Sequence, residues 1–422
     1  MIETSLAQEF SWGVDTSQQP FVEAVSVQKR IAGHADRCGS QVDIAALKIL
    51  ALRSLASLFD EEEKLFYRRV ILTDDRILQE RTSRKRTIVA LLGLQRLAEF
   101  GGPQPFDVAS IRDAVLADSA WVRSIGDLGL LIWFTAECAP ERLGKLLKDF
   151  DLENSLESSL DGRQGRTEGL ACFLAGIAHA RLACRETLPD LTDIAVDTYR
   201  LLQENQSEGG IFGNAAFPGL LQQTFCNRFG TFSDQMCAIY GLTTFGRAFQ
   251  IEEPLESALS CANSVRALQG EMGQWWFLYD KYTCRVVNRY PVCSRHQDGT
   301  APVALLALGE ATGQSFHEPI SKGLSWIVGT NELGIDLRNL DRGLIWDSIG
   351  PKRHITNIWE AALSFMNISR RPQQDRVKIR YEARPDHFGW LLYAFSSIGL
   401  PKEVELRQHT RERADVLNGI AD

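Results

Sequence analysis

Apolar residues recur along most of this chain at spacings of three and four, which place them on one face of an α-helix. One such segment runs from Ala45 to Phe59 and another from Thr87 to Phe100. Their apolar faces consist of Leu47, Leu50, Leu52, Leu55 and Leu58 in the first, and Val89, Leu91, Leu92, Leu94 and Leu97 in the second. The polar–apolar alternation of a half-buried strand is hardly seen. The pattern predicts an all-α protein.

A box of glutamine, glycine and tryptophan, formed by Gln269, Gly273 and Trp275, recurs in degraded form on both sides. The shared glycines are Gly210, Gly273 and Gly334, at spacings of 63 and 61 residues. Such a period accommodates two helices and two loops, and one helical hairpin cannot bury its apolar face alone. We therefore predict an α/α toroid, a closed barrel of repeated helical hairpins.

Acidic residues stand at a similar interval just before runs of small and apolar residues. Glu168, Asp234 and Asp298 are separated by 66 and 64 residues, and Asp386 follows later, with His354–Asn357 filling the gap. Because the inner helices of a toroid run roughly parallel, these first turns are expected to meet at one mouth. Acids are also preferred helix caps, so capping and catalysis both remain open for each of them.

Composition limits the function classes. The chain has 422 residues, 44% apolar and 24% charged, which suits a globular core; we predict an arm at residues 1–40 and one toroid domain at residues 41–422. The net charge of -8 argues against binding to nucleic acid or an anionic membrane. The first residues lack a basic, apolar leader, and no run reaches the ~20 apolar residues of a membrane span. We expect a cytoplasmic protein without a transmembrane segment.

Candidate chemistry is densest between Gly273 and Asp298. His296 and Asp298 are candidate acid–base residues, because imidazole titrates near neutral pH and burial raises a carboxyl pKa. The candidate catalytic residues are Asp298, His296, Asp234, Asp386 and His387, and the candidate substrate contacts are Trp275, Trp276, Tyr279, Asp280, Arg289, Tyr290 and Arg295. A tryptophan pair at a repeat turn is also a common packing plug, since such rings bury a large area.

Motifs for cofactors are absent from the sequence. It contains no glycine-rich nucleotide loop, no His-Glu-x-x-His and, among nine cysteines, no Cys-x-x-Cys pair, which argues against the common nucleotide and zinc sites. We expect no cofactor and no metal, and a small molecule or a glycan as the partner. The oligomeric state stays open.

The box from Gln269 to Trp275 resembles the QW repeat of squalene and hopene cyclases, and Lys322–Ile327 resembles its front half. The turn from Gln206 to Phe212 is similar to glycine-rich turns of protein prenyltransferase β subunits. The resemblance covers about residues 195–350 and implies the α/α toroid of these enzymes, with an acid at the mouth and an aromatic cavity that stabilises cations. Neither the Asp-x-Asp-Asp motif of class II cyclases nor the Asp-x-Cys spacing of the prenyltransferase zinc site is present, so no catalytic residue carries over.

A second resemblance is shorter. The segments Leu278–Asp280, Arg289–Pro291 and Ser294–His296 resemble the end domain of glucuronyl C5-epimerases. Such groups suit a uronate, because arginine binds its carboxylate and tyrosine or histidine moves a proton. The sequence favours an isoprenoid cyclase-like enzyme, followed by a carbohydrate epimerase, lyase or hydrolase, and then a non-catalytic binding scaffold.

Overall fold

The computed structural model describes residues 42–73, 76–161, 166–184, 190–214, 227–352 and 377–399. The predicted arm at residues 1–40 and the segment His354–Asn357 lie outside these ranges. The predicted division into one arm and one toroid domain therefore stays a prediction.

Helices dominate the described residues. They are α1 (Ile44–Ser57), α2 (Arg84–Glu99), α3 (Val108–Leu116), α4 (Ile125–Cys138), α5 (Pro140–Asp149), α6 (Leu152–Asp161), α7 (Thr167–Ala183), α8 (Thr192–Gln203), α9 (Phe232–Phe249), α10 (Glu253–Ala267), α11 (Ala301–Thr312), α12 (His317–Ile327) and α13 (Pro385–Ala394), with a π-helical turn at His296–Thr300 leading into α11. Side chains accept backbone N–H groups at several helix starts, as short polar residues there favour: Asp43, Ser83, Asp107, Ser124 and Thr231. Of the described helices, none is both long enough and apolar enough to span a membrane.

Six of the described helices form a closed inner ring. Helices α2, α4, α7, α9, α11 and α13 pack side by side in that order, and α13 packs in turn against α2. Helices α1, α3, α5, α8, α10 and α12 each pack against at least one member of this ring or the turn leading into it. Each inner helix follows an outer one in the chain, so all six inner helices run in the same direction. The predicted α/α toroid is confirmed.

Glycines let neighbouring inner helices approach closely. A Cβ atom built on Gly93 of α2 would lie 2.2 Å from the carbonyl oxygen of Gly389 in α13. One built on Gly129 of α4 would lie 2.4 Å from the Cα atom of Phe173 in α7, and one on Gly176 would lie 2.3 Å from the carbonyl oxygen of Gly129. The helix backbones are in contact at these points. The width of the ring therefore depends on glycine, which has no side chain, at each of these positions.

The substitution Gly129→Ala is expected to lower the free energy of unfolding by about 2 to 3 kcal/mol, because the new methyl group overlaps backbone that cannot rotate away. Urea denaturation followed by circular dichroism measures this. Gly144→Ala in α5 is the matched control, since a Cβ atom at that position would meet no other atom within 4 Å; it is expected to be neutral or stabilising by up to ~1 kcal/mol. Equal effects at the two positions would contradict the close approach.

The repeated boxes form equivalent turns between hairpins. Gln206 Nε2 donates to the carbonyl oxygen of Gly210 at 3.1 Å, and Gln269 Nε2 donates to that of Gly273 at 3.0 Å. The φ angles of Gly210, Gly273 and Gly334 are 84°, 91° and 64°, a left-handed conformation that glycine adopts without steric cost. The repeat found in the sequence is therefore a repeat of turn geometry.

Short strands interrupt the helical pattern, contrary to the sequence expectation. They are β1 (Phe59–Asp60), β2 (Leu65–Phe66), β3 (Val70–Thr73), β4 (Arg76–Gln79), β5 (Phe229–Thr231), β6 (Leu278–Asp280), β7 (Arg285–Asn288), β8 (Val292–Cys293), β9 (Arg338–Asn339), β10 (Leu344–Ile345), β11 (Ser348–Pro351), β12 (Val377–Arg380) and β13 (Glu382–Ala383). They pair antiparallel in sheets of two or three strands. At two to four residues each, they are too short to show alternation. Strands β5, β8 and β13 lead almost directly into α9, the π-helical turn and α13, and so border the start of the inner helices.

Candidate active site in the barrel

The first turns of the inner helices meet at one end of the ring, which we call the rim. His387 Nε2 of α13 lies 2.6 Å from Asp298 Oδ1 in the turn before α11, and His296 Nε2 lies 3.4 Å from Ser233 Oγ of α9. Asp386 of α13 pairs with Arg86 of α2. These contacts place His296, Asp298, Asp386 and His387 at the same end of the ring.

Asp347 ties two of these helix starts together. Arg295 Nη1, just before the π-helical turn, lies 3.0 Å from Asp347 Oδ1, and Arg384 Nε, just before α13, lies 3.4 Å from the same oxygen. Burial alone would raise the pKa of Asp347. The two guanidinium groups outweigh this effect and hold the pKa below its usual range. The predicted substrate contact Arg295 is thus already paired with a carboxylate of the protein.

The five predicted catalytic residues are almost completely buried. Their exposed fractions are 0% for Asp234, 3% for His296, 0% for Asp298, 3% for Asp386 and 1% for His387. Burial raises the pKa of Asp298, while burial and the nearby Arg295 charge lower that of His296, which is therefore neutral. These side chains can position the rim, but they present almost no surface to a ligand. Their assignment as catalytic residues stays a prediction.

Four of these residues nevertheless carry unsatisfied polar atoms. The buried atoms Asp298 Oδ2, Asp386 Oδ1, His296 Nδ1 and His387 Nδ1 have no hydrogen-bond partner among the described residues. Buried polar groups are rarely left unpaired. The rim is therefore incompletely satisfied where the predicted acids and imidazoles meet.

Asp234 caps α9. Its Oδ2 accepts from the backbone nitrogen of Thr231 at 2.8 Å and from Thr231 Oγ1 at 2.7 Å, while Thr231 Oγ1 accepts from Asp234 N at 3.2 Å. Asn214 Nδ2 donates to the same carboxylate at 3.1 Å. Burial and the neighbouring Glu168 carboxylate raise the pKa of Asp234 to about 6. The capping interpretation is correct for this residue.

This raised pKa predicts a pH effect on stability. Asp234 binds a proton more tightly in the folded state than in the unfolded state, where its pKa is near 3.8. Its ionised carboxylate therefore destabilises the fold at pH 8, and protonation at lower pH removes this destabilisation. The unfolding free energy of wild type relative to Asp234→Asn is expected to rise by about 2 to 3 kcal/mol between pH 8 and pH 4. Urea denaturation across this range measures it, and a difference independent of pH would contradict the shift.

The predicted aromatic lining is largely packed in the protein core, which corrects the sequence expectation. Trp275 is 1% and Tyr279 0% exposed, and the Trp275 ring stacks on Phe232 with centroids 5.3 Å apart. Trp276 is 9% exposed and lies under the Arg289 guanidinium, 5.2 Å from its ring centroid. Bulky rings at the repeat turns bury area between hairpins. The packing-plug alternative describes them correctly.

Asp280 and Tyr290 also have structural partners. Asp280 Oδ2 accepts from Arg228 Nε at 2.8 Å, and its Oδ1 accepts from the backbone nitrogen of Tyr282 at 3.0 Å in the β6–β7 turn. The Tyr290 hydroxyl donates to Glu332 Oε1 at 3.1 Å. These contacts hold the loops beside the rim, and neither side chain is left free for substrate.

An accessible acid at the rim was not included among the predicted site residues. Glu168 lies in the first turn of α7 and is exposed. Within the described part of the chain it makes no hydrogen bond or ion pair. It is close enough to Asp234 to raise the pKa of that residue. Nearby, Lys85 Nζ pairs with Asp127 Oδ1 at 2.8 Å between the starts of α2 and α4.

A second cluster, which we call the floor, lies toward the other end of the inner helices. It comprises Arg96, Trp133, Glu137, His179, Tyr240, Trp390 and Tyr393, from five inner helices. The Trp133 ring stacks against both His179, at 4.7 Å and 8°, and Tyr240, at 4.9 Å and 20°. Trp390 lies 5.4 Å from Trp133 and is half-buried. Side chains from five helices can meet only inside the ring, so the floor faces its axis.

Polar atoms of the floor form a closed circuit. Glu137 Oε1 accepts from Trp133 Nε1 at 2.8 Å and from the Tyr393 hydroxyl at 2.8 Å, and it lies 3.1 Å from His179 Nδ1. His179 Nε2 lies 3.0 Å from the Tyr240 hydroxyl, which lies 3.2 Å from that of Tyr393. Burial raises the pKa of Glu137 and lowers that of His179 to about 3. His179 is therefore neutral.

Floor and rim are distinct zones. Glu168 and His179 are eleven residues apart on α7, which is roughly 16 Å along a helix axis. On the same face of α7 between them lies Cys172, half-buried.

The sequence signal for the floor was an acid and a histidine inside otherwise apolar helices, at Glu137 and His179. Their meeting depends on helices distant in the chain, so periodicity alone could not show it.

Comparisons with known proteins give the fold but no family. No protein-family model and no curated protein matches the chain. Among solved structures, it is similar to a possible member of the GH105 family from Salmonella enterica serovar Paratyphi A (12% identity, 86% of this chain and 95% of that one, TM-score 0.54). It is also similar to a sugar epimerase from a ruminal bacterium (10% identity, 85% of this chain and 99% of that one, TM-score 0.56). A third similar structure is an unsaturated glucuronyl hydrolase from Streptococcus agalactiae (10% identity, 87% of this chain and 94% of that one, TM-score 0.54).

These comparisons correct one expectation from the sequence. The similar structures are described as carbohydrate enzymes and not as terpenoid cyclases, so the suspected membership of the terpenoid cyclase and prenyltransferase superfamily is wrong. The physical reason lies in the glutamine–glycine box. Gln269 and Gly273 form a turn that joins consecutive hairpins, and a toroid needs such turns whatever its chemistry.

Proposed function

We propose that this protein is a carbohydrate-active enzyme that hydrolyses a glycan containing a uronic acid. The observation that carries this proposal is the lining of the ring: an accessible carboxylate, Glu168, at the rim, and an aromatic and polar floor about three helical turns deeper. The toroids with the same fold that are described as acting on glucuronyl substrates and sugars support it.

The floor suits a sugar better than a hydrocarbon. Ligand sites combine apolar walls with a few convergent polar groups, and the floor offers the half-buried face of Trp390 beside Glu137 and His179. An isoprenoid chain would cover the Arg96 guanidinium of the floor, which has no carboxylate oxygen within 4.0 Å among the described residues, without giving it a hydrogen bond, which costs free energy. Sugar oxygens can accept hydrogen bonds from it.

Glu168 is our candidate for the acid–base residue. A group that moves a proton must reach the reacting atom, and Glu168 is exposed at the rim whereas Asp298 and His387 are buried. We assign a positioning role to the pair Asp298–His387, which links the starts of α11 and α13. Because the Glu168 carboxylate is open to solvent, water is available as the second substrate, which favours hydrolysis over epimerisation or elimination.

The test is turnover by the full chain of a disaccharide ending in an unsaturated glucuronic acid. Hydrolysis would release an unsaturated uronic acid, whose ring opens and tautomerises to a keto acid, so that the ultraviolet absorbance of the carbon–carbon double bond is lost. Chromatography would show two monosaccharide products. Saturated uronate oligosaccharides, followed by NMR, would reveal epimerisation or elimination instead. Absence of any change in all of these substrates at high enzyme concentration would overturn the proposal.

A further inference from the structure

Arg96 differs from the cations of the rim in lacking a carboxylate partner. Lys85 and Arg295 lie 2.8 Å and 3.0 Å from the carboxylates of Asp127 and Asp347. The Arg96 guanidinium instead lies 5.1 Å from the ring centroid of Tyr393. Among the described residues, no carboxylate oxygen lies within 4.0 Å of its nitrogens.

The floor circuit is short of one proton when Glu137 is ionised. The circuit has four contacts, which join Glu137, His179, Tyr240 and Tyr393 in a closed loop. A neutral histidine and two tyrosines supply three hydrogens. With one more proton on Glu137, whose Oε1 also accepts from Trp133 Nε1, each of the four contacts has a hydrogen of its own. Burial favours the uncharged acid by raising the pKa of Glu137, against the charge of Arg96 and the hydrogen bonds from Trp133 and Tyr393, which lower it.

A neutral Glu137 leaves the charge of Arg96 uncompensated. A cation withdrawn from water without a counter-ion is costly, and Arg96 is half-buried inside the ring. A ligand carboxylate would restore neutrality, and the planar guanidinium is shaped to bind one through two parallel hydrogen bonds. The floor thus has the charge and the donor geometry of a carboxylate site.

We propose that the floor binds the carboxylate of the uronic acid through Arg96, beside a protonated Glu137. This inference rests on the proposed function and specifies where the acidic sugar lies. Arginine side chains in helices lean toward the helix N-terminus, so Arg96 extends from the floor toward the rim. The uronic acid occupies the deep end, and the rest of the substrate extends toward Glu168.

The primary experiment compares two ligands on the full chain by titration calorimetry. One is a disaccharide ending in glucuronic acid, and the other is its carboxyl-reduced form, in which the carboxylate is a hydroxymethyl group. Wild type is expected to bind the acid at least 10-fold more tightly, about 1.4 kcal/mol. Equal affinity for the two ligands would overturn the carboxylate site without reference to any variant.

The substitution Arg96→Gln is expected to remove this preference: affinity for the acidic disaccharide falls at least 10-fold, and affinity for the reduced disaccharide falls less than twofold. Arg96→Lys keeps the charge, so its affinity for the acidic disaccharide is expected to lie between those of wild type and Arg96→Gln. Arg181→Gln is the matched control, because Arg181 also lies over an aromatic ring, 5.0 Å from the Phe249 centroid. A preference that survives Arg96→Gln would refute the assignment.

The pH dependence tests the proton on Glu137. The groups that act on the floor circuit are Arg96, Glu99, Cys138, His179, Tyr240, Arg247 and Tyr393. Because the acid must be neutral when ligand binds, wild-type affinity for the acidic disaccharide is expected to decrease at alkaline pH. Glu137→Gln is permanently neutral and is expected to lack this decrease. Affinity that increases with pH would contradict the protonated state.

Failure of this inference is distinguishable from failure of the proposed function. If the chain turns over or binds both disaccharides equally, the enzyme acts on carbohydrate and only the carboxylate site is wrong. If it binds neither and turns over neither, both proposals are wrong. Circular dichroism of each variant identifies loss of binding that arises from misfolding.

Discussion

Replacing Glu168 by glutamine is expected to lower kcat on the uronate disaccharide by about 10²- to 10⁴-fold, the usual contribution of one general acid–base group. The amide has nearly the same shape as the carboxylate but does not exchange a proton at neutral pH. KM is expected to change little, because the proposed deep contacts of the substrate, at Arg96 and Trp390, are unchanged. Initial rates over a range of substrate concentrations measure the two parameters separately.

The expected loss is one of chemistry and not of stability. Glu168 is exposed and makes no hydrogen bond or ion pair among the described residues, so Glu168→Gln is expected to change the unfolding free energy by less than about 0.5 kcal/mol. Glu157→Gln on α6 is a matched control, since Glu157 is also an exposed helical acid. Full activity of Glu168→Gln would move the acid–base role to another residue.

The sequence predicted the helical ring because the ring follows from local chemistry. Periodic leucines indicated helices close to α1 and α2, and the glutamine–glycine boxes indicated a repeated turn. Both signals arise within one hairpin. The strands were not predicted for the opposite reason: a strand such as β11 pairs with β12, which lies in a different part of the chain. Their boundaries depend on how the hairpins pack.

The rim was partly predictable because polar residues at a helix start are visible in the chain. Asp234, Asp298 and Asp386 were identified by their spacing, and the structure places them at inner-helix starts. Their burial was not predictable, because it depends on neighbours such as Arg86, which no local pattern connects with Asp386. A buried acid and a solvent-exposed acid at a helix start cannot be distinguished from the sequence alone.

The floor shows the limit of local patterns. Glu137 and His179 each lie in an apolar helix, where a polar residue has no local explanation. Such exceptions to the apolar pattern are expected where a fold serves function. Their partners, Tyr240 and Tyr393, come from helices that are adjacent only once the ring closes. A search for polar residues inside apolar helices would have found the members, but not their circuit.

Replacing Asp347 by alanine is expected to have the largest effect on stability, about 3 kcal/mol or more, since removing one member of a buried ion pair leaves the remaining charge uncompensated. Two cations are affected here, because Arg295 and Arg384 share this carboxylate and their side chains are only 22% and 21% exposed. Arg384 keeps a second partner, Glu382, at 3.2 Å, so the uncompensated charge is mainly that of Arg295. The two arginines precede the π-helical turn and α13, so their repulsion separates the two helix starts that Asp298 and His387 connect. Urea denaturation at neutral pH measures the loss.

The pH dependence of the Asp347→Ala effect separates charge from packing. Because Arg295 and Arg384 lower the pKa of Asp347, its carboxylate stabilises the fold above the unfolded pKa, near 3.8, and this contribution is lost as pH falls through the lower, folded value. The stability difference between wild type and Asp347→Ala is therefore expected to shrink in acid. Asp347→Asn retains the volume and loses the charge, so it is expected to reproduce most of the neutral-pH loss. If Asp347→Asn is as stable as wild type at neutral pH, packing at this junction, and not charge, joins the two helix starts.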